Sequence, residues 1–370
     1  MAQQLCTIPC ITEIPENYRA LWELCLTDVW CPVSLEEWRE RIDSPREIDA
    51  DSTLFVNLSP SDREELAQVF GFPAVKFPAL PSIEQVNQAL PSRFETTHLF
   101  KQSDVAAGIT ERIRQELPQI VVLLVFDGLS FYEITDWELP NARLEPCLVD
   151  GLSTTENAMQ RLIGSPVLTH RLFELEYVRR LGFSYWERST NPLTDALFAE
   201  FSESQLHRVT TFDEVLERIG ASEWPTHTYV QIIRSGLDSA CHSHRERPDV
   251  SSLLEGLRQD ILSIFAVLQE TRKSFRLFIT ADHGILWYNN QNILPLAQEK
   301  FKTRYTEDNV VSSDNVLTLQ SNERTYTVLT GDKVIAKKRR SNEWGFHGGI
   351  SAQESLIPFW DIRRSTDYVS

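Results

Sequence analysis

The chain has no apolar run approaching the ~20 residues needed to span a bilayer, so a membrane-crossing helix is not expected. Its first ten residues, MAQQLCTIPC, lack the basic-then-apolar pattern of a secretory leader. Cysteine is scarce: Cys6, Cys10, Cys25, Cys31, Cys147 and Cys241 are all there is. In a leaderless chain these read as reduced thiols rather than a disulfide framework, and a cytoplasmic setting is the expectation. A zinc site on the first four is not expected either. Their spacings are loose, and Cys25 sits among helix-like core residues. Basic residues are outnumbered, 36 against 53, for a formal charge of −17. That excludes indiscriminate coating of duplex nucleic acid, which is driven by phosphate neutralisation, but leaves room for a nucleotide at a local positive site. Internal repeats and low-complexity segments are absent.

What is present is an ordinary globular composition over 370 residues, long enough for two domains. Residues 1–103 read as a mainly helical region. Tyr18–Leu26, Ser34–Ile42 and Ser59–Phe70 carry apolar residues at helical spacing, and Ser34 with Glu37 forms a capping-box pattern. Pro73, Pro78, Pro81 and Pro91 then break up the stretch that follows, which cannot be one long helix. No catalytic constellation lies in this region; packing or partner docking is its expected role.

From Asp104 onward helices alternate with buried strands, which predicts an α/β fold with a mostly parallel sheet between helices. Strands are expected at Ile120–Phe126, Leu144–Val149, Arg208–Thr211, Thr228–Ile233 and Arg276–Thr280. Helices are expected at Asp104–Leu117, Thr155–Ile163, His170–Leu181, Phe212–Ile219 and Ser251–Thr271. The centre of the pattern is Ile120–Phe126, seven apolar residues running straight into Asp127-Gly128. Such a run reads as a strand buried on both faces. Ligands in open α/β sheets gather at the carboxyl ends of strands, where Asp127 falls.

Asp-Gly after a strand is also ordinary turn chemistry, and alone would be read so. The design recurs, however. Thr228–Ile233 runs into Asp238-x3-His242, and Arg276–Thr280 runs into Asp282-His283-Gly284. Near the C-terminus stands His347-Gly348-Gly349. Asp238 and His242 share a face if a helical turn opens there. Carboxylates mixed with imidazoles suit zinc, or manganese as the alternative, better than calcium or magnesium. Each piece is weak by itself; six candidate ligands in this order and setting make a joint signal for two divalent ions. His207, His227 and His244 read as ordinary histidines.

With these motifs, residues from about 105 to the C-terminus resemble the alkaline phosphatase superfamily, most closely its PglZ-domain branch. The resemblance implies an alkaline-phosphatase-like domain over 104–370 and a two-metal phosphoesterase. One ion would be held by Asp127, Asp282, His283 and a nucleophile oxygen, the other by Asp238, His242 and His347. The nucleophile would open a helix within Gly151–Gly164; its spacing from Gly164 selects Thr154, with Ser153 and Thr155 as the neighbouring registers. Asn157 would then contact the phosphate. A Ser/Thr helix cap is the plainer reading of the same residues, and the two are compatible, since a helix N-terminus favours anions. PglZ-type proteins further imply a setting in phage defence (the BREX type), with residues 1–103 as a surface for protein partners in such a complex.

The neutral Asn157 beside the nucleophile matches the single charge of a diester, so a phosphodiesterase acting on nucleotides or oligonucleotides through a phospho-threonine is the expected activity. A phosphomonoesterase or phosphomutase is the enzymatic alternative, and a catalytically silent metal-stabilised scaffold the non-enzymatic one. Residues of about 285–343, between Gly284 and the late histidine, are too long for a plain loop and read as a small β-containing cap. Lys337, Lys338, Arg339 and Arg340 lie near its end, just before His347. They are either a solvated strand edge or a cationic guide for polyanionic substrate, with the two readings evenly weighted.

Overall fold

The computed structural model describes residues 11–12, 15–26, 29–30, 53–55, 64, 68, 79–164, 166–177, 182–186, 206–221, 227–243, 246–289, 301, 304–308, 315–321, 323–334 and 342–364. Two compact units divide the chain, Met1–Leu99 and Phe100–Ser370.

The first unit contains β1 (Ile11–Thr12), α1 (Arg19–Cys25), β2 (Val29–Trp30), β3 (Thr53–Phe55) and α2 (Ile83–Arg93). β3 pairs in parallel with both β1 and β2, so the region combines helices with a small sheet that its sequence did not announce. Helix α2 was also missed, because prolines crowd this stretch. Ser82 and Gln85 form a reciprocal capping box at its start, and Pro91 is accommodated near its end. The Arg93 guanidinium donates to the carbonyls of Glu23, Leu24 and Leu26, satisfying acceptors that the end of α1 leaves open. The helices expected at Ser34–Ile42 and Ser59–Phe70 fall outside the described residues, as do Cys6, Cys10 and Cys31.

The second unit begins with β4 (Phe100–Lys101), α3 (Val105–Glu116), β5 (Ile120–Phe126), β6 (Ala142–Leu148), α4 (Thr155–Leu162) and α5 (Pro166–Glu174). It continues through β7 (Gly182–Trp186), β8 (Leu206–Val209), α6 (Phe212–Gly220), β9 (Thr228–Arg234), α7 (Asp238–Ser243) and α8 (Val250–Glu270). Last come β10 (Phe275–Ala281), β11 (Leu286–Trp287), β12 (Tyr305–Thr306), β13 (Val316–Ser321), β14 (Arg324–Leu329), β15 (Gly345–Phe346), α9 (Ala352–Ser355) and β16 (Leu356–Arg363). Helix α5 starts earlier than its periodicity predicted because Pro166 takes the first helical position, where its missing N–H costs nothing.

Eight strands form one sheet in the order β4-β6-β16-β10-β5-β9-β7-β8. All its pairings are parallel except those of β16, which runs antiparallel between β10 and β6. This is the mostly parallel α/β sheet that the alternation required. All seven residues of β5 are buried. Each large aliphatic side chain withdrawn from water there contributes ~1.5–3 kcal/mol, which is why β5 is the fixed centre of the sheet. Phe126 stands level with Ala281 on one side and Arg234 on the other. The three central strands therefore end together, and the residues after each meet at one edge. Two smaller sheets lie in the later part of the chain: β11 with β15, and β12-β14-β13. Among the described residues no helix is long and apolar enough to cross a membrane.

Candidate metal centre

Asp127 follows β5, Asp282 follows β10, and Asp238 opens α7 just past β9. Backbone bonds knit these ends. The amide of Asp238 donates to the carbonyl of Asp127 (3.1 Å), and that of Leu237 to Gly128 (2.8 Å). A side chain at Gly236 would strike the Asp127 carbonyl, so only glycine permits this approach. The amides of Gly128 and His283 both donate to Asp282 Oδ1, at 2.9 and 2.7 Å.

Each of two histidines is fixed by a carbonyl behind it. His283 Nδ1 lies 3.1 Å from the Gly284 carbonyl, and His347 Nδ1 lies 3.1 Å from that of Ser153. A carbonyl can only accept, so both rings carry a proton on Nδ1; in His283, whose pKa is low, this leaves Nε2 bare and facing forward. His283 Nε2 is 3.5 Å from Asp282 Oδ2 and 3.9 Å from Asp127 Oδ1. His347 Nε2 is 3.3 Å from Asp238 Oδ1, and the two rings stack with centroids 4.2 Å apart. The short β11–β15 ladder brings this about: Leu286 pairs with Phe346, drawing the residue after β15 towards the loop before β11. His242, one turn along α7, reaches Asp238 Oδ1 at 3.2 Å, with Glu343 3.8 Å from its other nitrogen.

The six ligands proposed from sequence thus stand at one strand edge. Asp127, Asp282 and His283 offer ligand atoms within 4.8 Å of one another, and so do Asp238, His283 and His347. His283 belongs to both groups, whereas His242 joins the second only through Asp238.

These atoms fit cations. Asp282 Oδ2 is buried and accepts no hydrogen bond among the described residues. Such an orphaned carboxylate oxygen costs several kcal/mol unless it meets positive charge, ~3–5 by the measure of a broken buried pair. Burial, and next the repulsion of Asp238, pushes the Asp127 carboxyl up to about 6. Burial and the neighbouring Asp127 hold Asp282 well above the usual carboxylate range. Burial works against ionisation of Asp238 as well, but the His242 and His347 imidazoles outweigh it and keep its pKa low. Burial and the adjacent His347 drive His283 down to about 3, so it stays a neutral, ligand-ready imidazole.

No protein-family profile matches the chain, and no curated protein matches it by sequence. Solved structures do superpose. Murine ectonucleotide pyrophosphatase / phosphodiesterase 5, an inactive variant in complex with AMP, covers 66% of this chain and 88% of its own, at 11% identity and a TM-score of 0.44. Phosphonoacetate hydrolase from Sinorhizobium meliloti 1021, in complex with phosphonoacetate, covers 68% and 92%, at 10% identity and a TM-score of 0.43. The periplasmic domain of phosphoethanolamine transferase EptC from Campylobacter jejuni covers 67% and 80%, at 10% identity and a TM-score of 0.35.

The hydroxyl that reaches the cluster is that of Thr155. Its Oγ1 lies 3.2 Å from Asp127 Oδ1 and 3.1 Å from His283 Nε2. The register expected from Gly164 is that of Thr154. Thr154 Oγ1 instead accepts from Asn157 Nδ2 at 2.9 Å. Ser153 is a clasp: its Oγ donates to the Gly349 carbonyl (2.8 Å) and accepts from the Gly348 amide (3.0 Å), tying the late histidine loop to the start of α4. Asn157 is buried, and its Oδ1 accepts from Ser321 Oγ. Arg161 bonds Ser321 and Gln102. Lys337, Lys338, Arg339 and Arg340 lie outside the described residues.

Sequence reasoning missed a second buried ionic group. Arg304 and Glu354, both fully buried, pair through two guanidinium nitrogens. Glu354 also accepts from the Gly349 amide (3.0 Å) and Ser351 Oγ (2.7 Å), and Arg304 donates to the carbonyls of Gly331 and Lys333. Fifty positions apart and in no motif, the two left no signal.

Proposed function

We propose that this protein is a metal-dependent phosphoesterase, a phosphodiesterase by preference, with Thr155 as its nucleophile. The observation that carries the reading is the setting of Thr155 Oγ1. It stands between Asp127 Oδ1 and His283 Nε2, where two acceptors converge on one hydroxyl proton. Asp127, Asp282 and His283 would hold one divalent ion and Asp238, His242 and His347 the other, with zinc favoured by the mixed donor set. Such ions supply Lewis acidity at phosphoryl oxygens and ease the ionisation of a nearby hydroxyl.

The residues do the rest. Thr155 passes its proton to Asp127 or to solvent, and its oxygen attacks phosphorus. The Oγ1–P bond forms as the P–O bond to one alcohol breaks, and that alkoxide leaves with a proton from water. A second water then displaces Thr155 from phosphorus, yielding the monoester and restoring the hydroxyl. The first turn of α4 leaves backbone N–H groups without intrahelical partners, which favours an anion there. Arg161, the basic residue of that helix, is engaged by Ser321 and Gln102, and the polar side chains in its first turn beyond Thr155 are the anionic Glu156 and the neutral Asn157, neither of which answers a second negative charge. This supports a singly charged diester over a dianionic monoester. Nucleotide diesters, the PglZ-type affiliation, a role in phage defence and partner binding through residues 1–103 rest on the sequence resemblance.

The test is zinc content and hydrolysis of bis(p-nitrophenyl) phosphate by the wild type, Thr155→Ala and Thr154→Ala. Loss of a nucleophile removes on the order of 10³-fold or more, so Thr155→Ala should be nearly inactive while Thr154→Ala keeps most of its rate. Full activity in Thr155→Ala rejects the nucleophile; zinc bound without turnover by the wild type favours a scaffold.

A further inference from the structure

Beside the metal cluster opens a cleft of about 550 Å³, a size that suits a small-molecule group. One wall is the exposed face of α4, the other the β12-β14-β13 sheet. The cleft shares structure with the candidate site. Thr154, which precedes the proposed nucleophile, lines it. Gly348, which follows His347, backs onto its Tyr305: a Cβ there would come within 2.5 Å of that ring and 3.6 Å of Thr154 Cγ2. A phosphate held at Thr155 therefore has this cleft next to it.

The charge of the lining decides what fits. Glu156, Glu307 and Glu323 contribute three carboxylates, and Arg324 the one guanidinium among the lining residues. That guanidinium has Glu307 at 4.0 Å, so part of its charge is already answered. Three carboxylates against one partly paired guanidinium favour a cationic occupant over a neutral or an anionic one. Tyr305 and Tyr326 meet nearly edge to face, at 74° with centroids 6.1 Å apart, and offer ring surface to a methylene or an ammonium. A group carrying a further phosphate would meet net negative charge.

We propose that this cleft binds one alcohol group of a phosphodiester, and that it selects an ammonium-bearing alcohol over a neutral one and rejects a phosphorylated one. The inference rests on the phosphodiesterase reading and narrows it, turning the expected substrate away from oligonucleotides. It assigns Tyr305, Tyr326, Glu156, Glu307 and Glu323 as specificity residues.

Three p-nitrophenyl phosphodiesters test it, with choline, with thymidine through its 5′ oxygen, and with thymidine bearing an added 3′-phosphate. The expected kcat/KM falls in that order by about fivefold to tenfold per step, as one exposed charge contact allows. Glu307→Gln combined with Glu323→Gln should lower the choline ester, raise the phosphorylated one and collapse the ranking. A flat or reversed order, or a ranking that survives the double variant, overturns the proposal. Binding of phosphocholine and of glycerol 3-phosphate to Thr155→Ala, by calorimetry, separates the two claims. Tighter phosphocholine binding that the double variant abolishes upholds the cleft even if no diester is cleaved. Equal binding of the two overturns it even if the enzyme is active.

Discussion

Two buried ionic groups flank the same loop, His347 to Gly349, and they are built on opposite terms. Around Arg304 and Glu354 every charge is answered: carboxylate meets guanidinium, and the remaining donors and acceptors meet backbone. Around Asp127, Asp238 and Asp282 the acids outnumber their donors, and two oxygens, Asp238 Oδ1 and Asp282 Oδ2, accept no hydrogen bond among the described residues. The first group is complete as folded and acts as a bracket. The second would be completed by added cations, an imbalance of the kind that supports the proposed metal site. Density of buried charge is common to both; compensation separates them.

The contrast can be broken from either side. Arg304→Met leaves Glu354 buried without its cation, and stability should fall by ~3–5 kcal/mol, read from denaturant unfolding. No loss would mean that the pair is not the bracket. Asp282→Asn should have the opposite sign in chelator-treated protein, gaining ~1–3 kcal/mol because a buried uncompensated carboxylate is removed, while zinc binding and turnover disappear. A variant as unstable as Arg304→Met would show that Asp282 is already compensated without metal.

Cation affinity gives a smaller, graded effect. Asp127 must shed its proton to bind an ion, so zinc affinity should weaken as pH falls through about 6, by roughly tenfold per unit below it. Equilibrium dialysis at pH 5 to 8 measures this, and Asp127→Asn should bind weakly at every pH.

Glu133 sharpens the comparison at the small end. Its carboxyl accepts from Trp287 Nε1 and the Ser130 amide and has no ion-pair partner among the described residues; burial pushes it up to about 7. Because the folded state holds this proton more tightly than the unfolded one, its contribution is full below the ordinary Glu value and is lost as pH rises towards 7. Glu133→Gln should flatten that part of the pH–stability curve. An unchanged slope would place the titration elsewhere.

Much of the site was legible because its chemistry sits at the ends of apolar runs. The seven buried residues before Asp127 and the run before Asp282-His283 both announce strands, and a strand's end locates whatever follows it. The i,i+4 spacing of Asp238 and His242 likewise needs only one helical turn, which α7 supplies. Strand β16 was not read, since Pro358 interrupts its pattern and its place between β10 and β6 is set wholly by pairing. Helix α2 was obscured by the prolines around it.

By itself the sequence determined which strands are buried, where each acid falls relative to them, and that acids and imidazoles recur in metal-binding proportion, because periodicity and chain adjacency are local properties. Only the tertiary structure decided that Thr155 rather than Thr154 faces the cluster, that Arg304 meets Glu354, and that Tyr305 and Glu323 border a cleft beside it. Those outcomes depend on rotations of ~100° per residue and on contacts between distant segments, which no local pattern records.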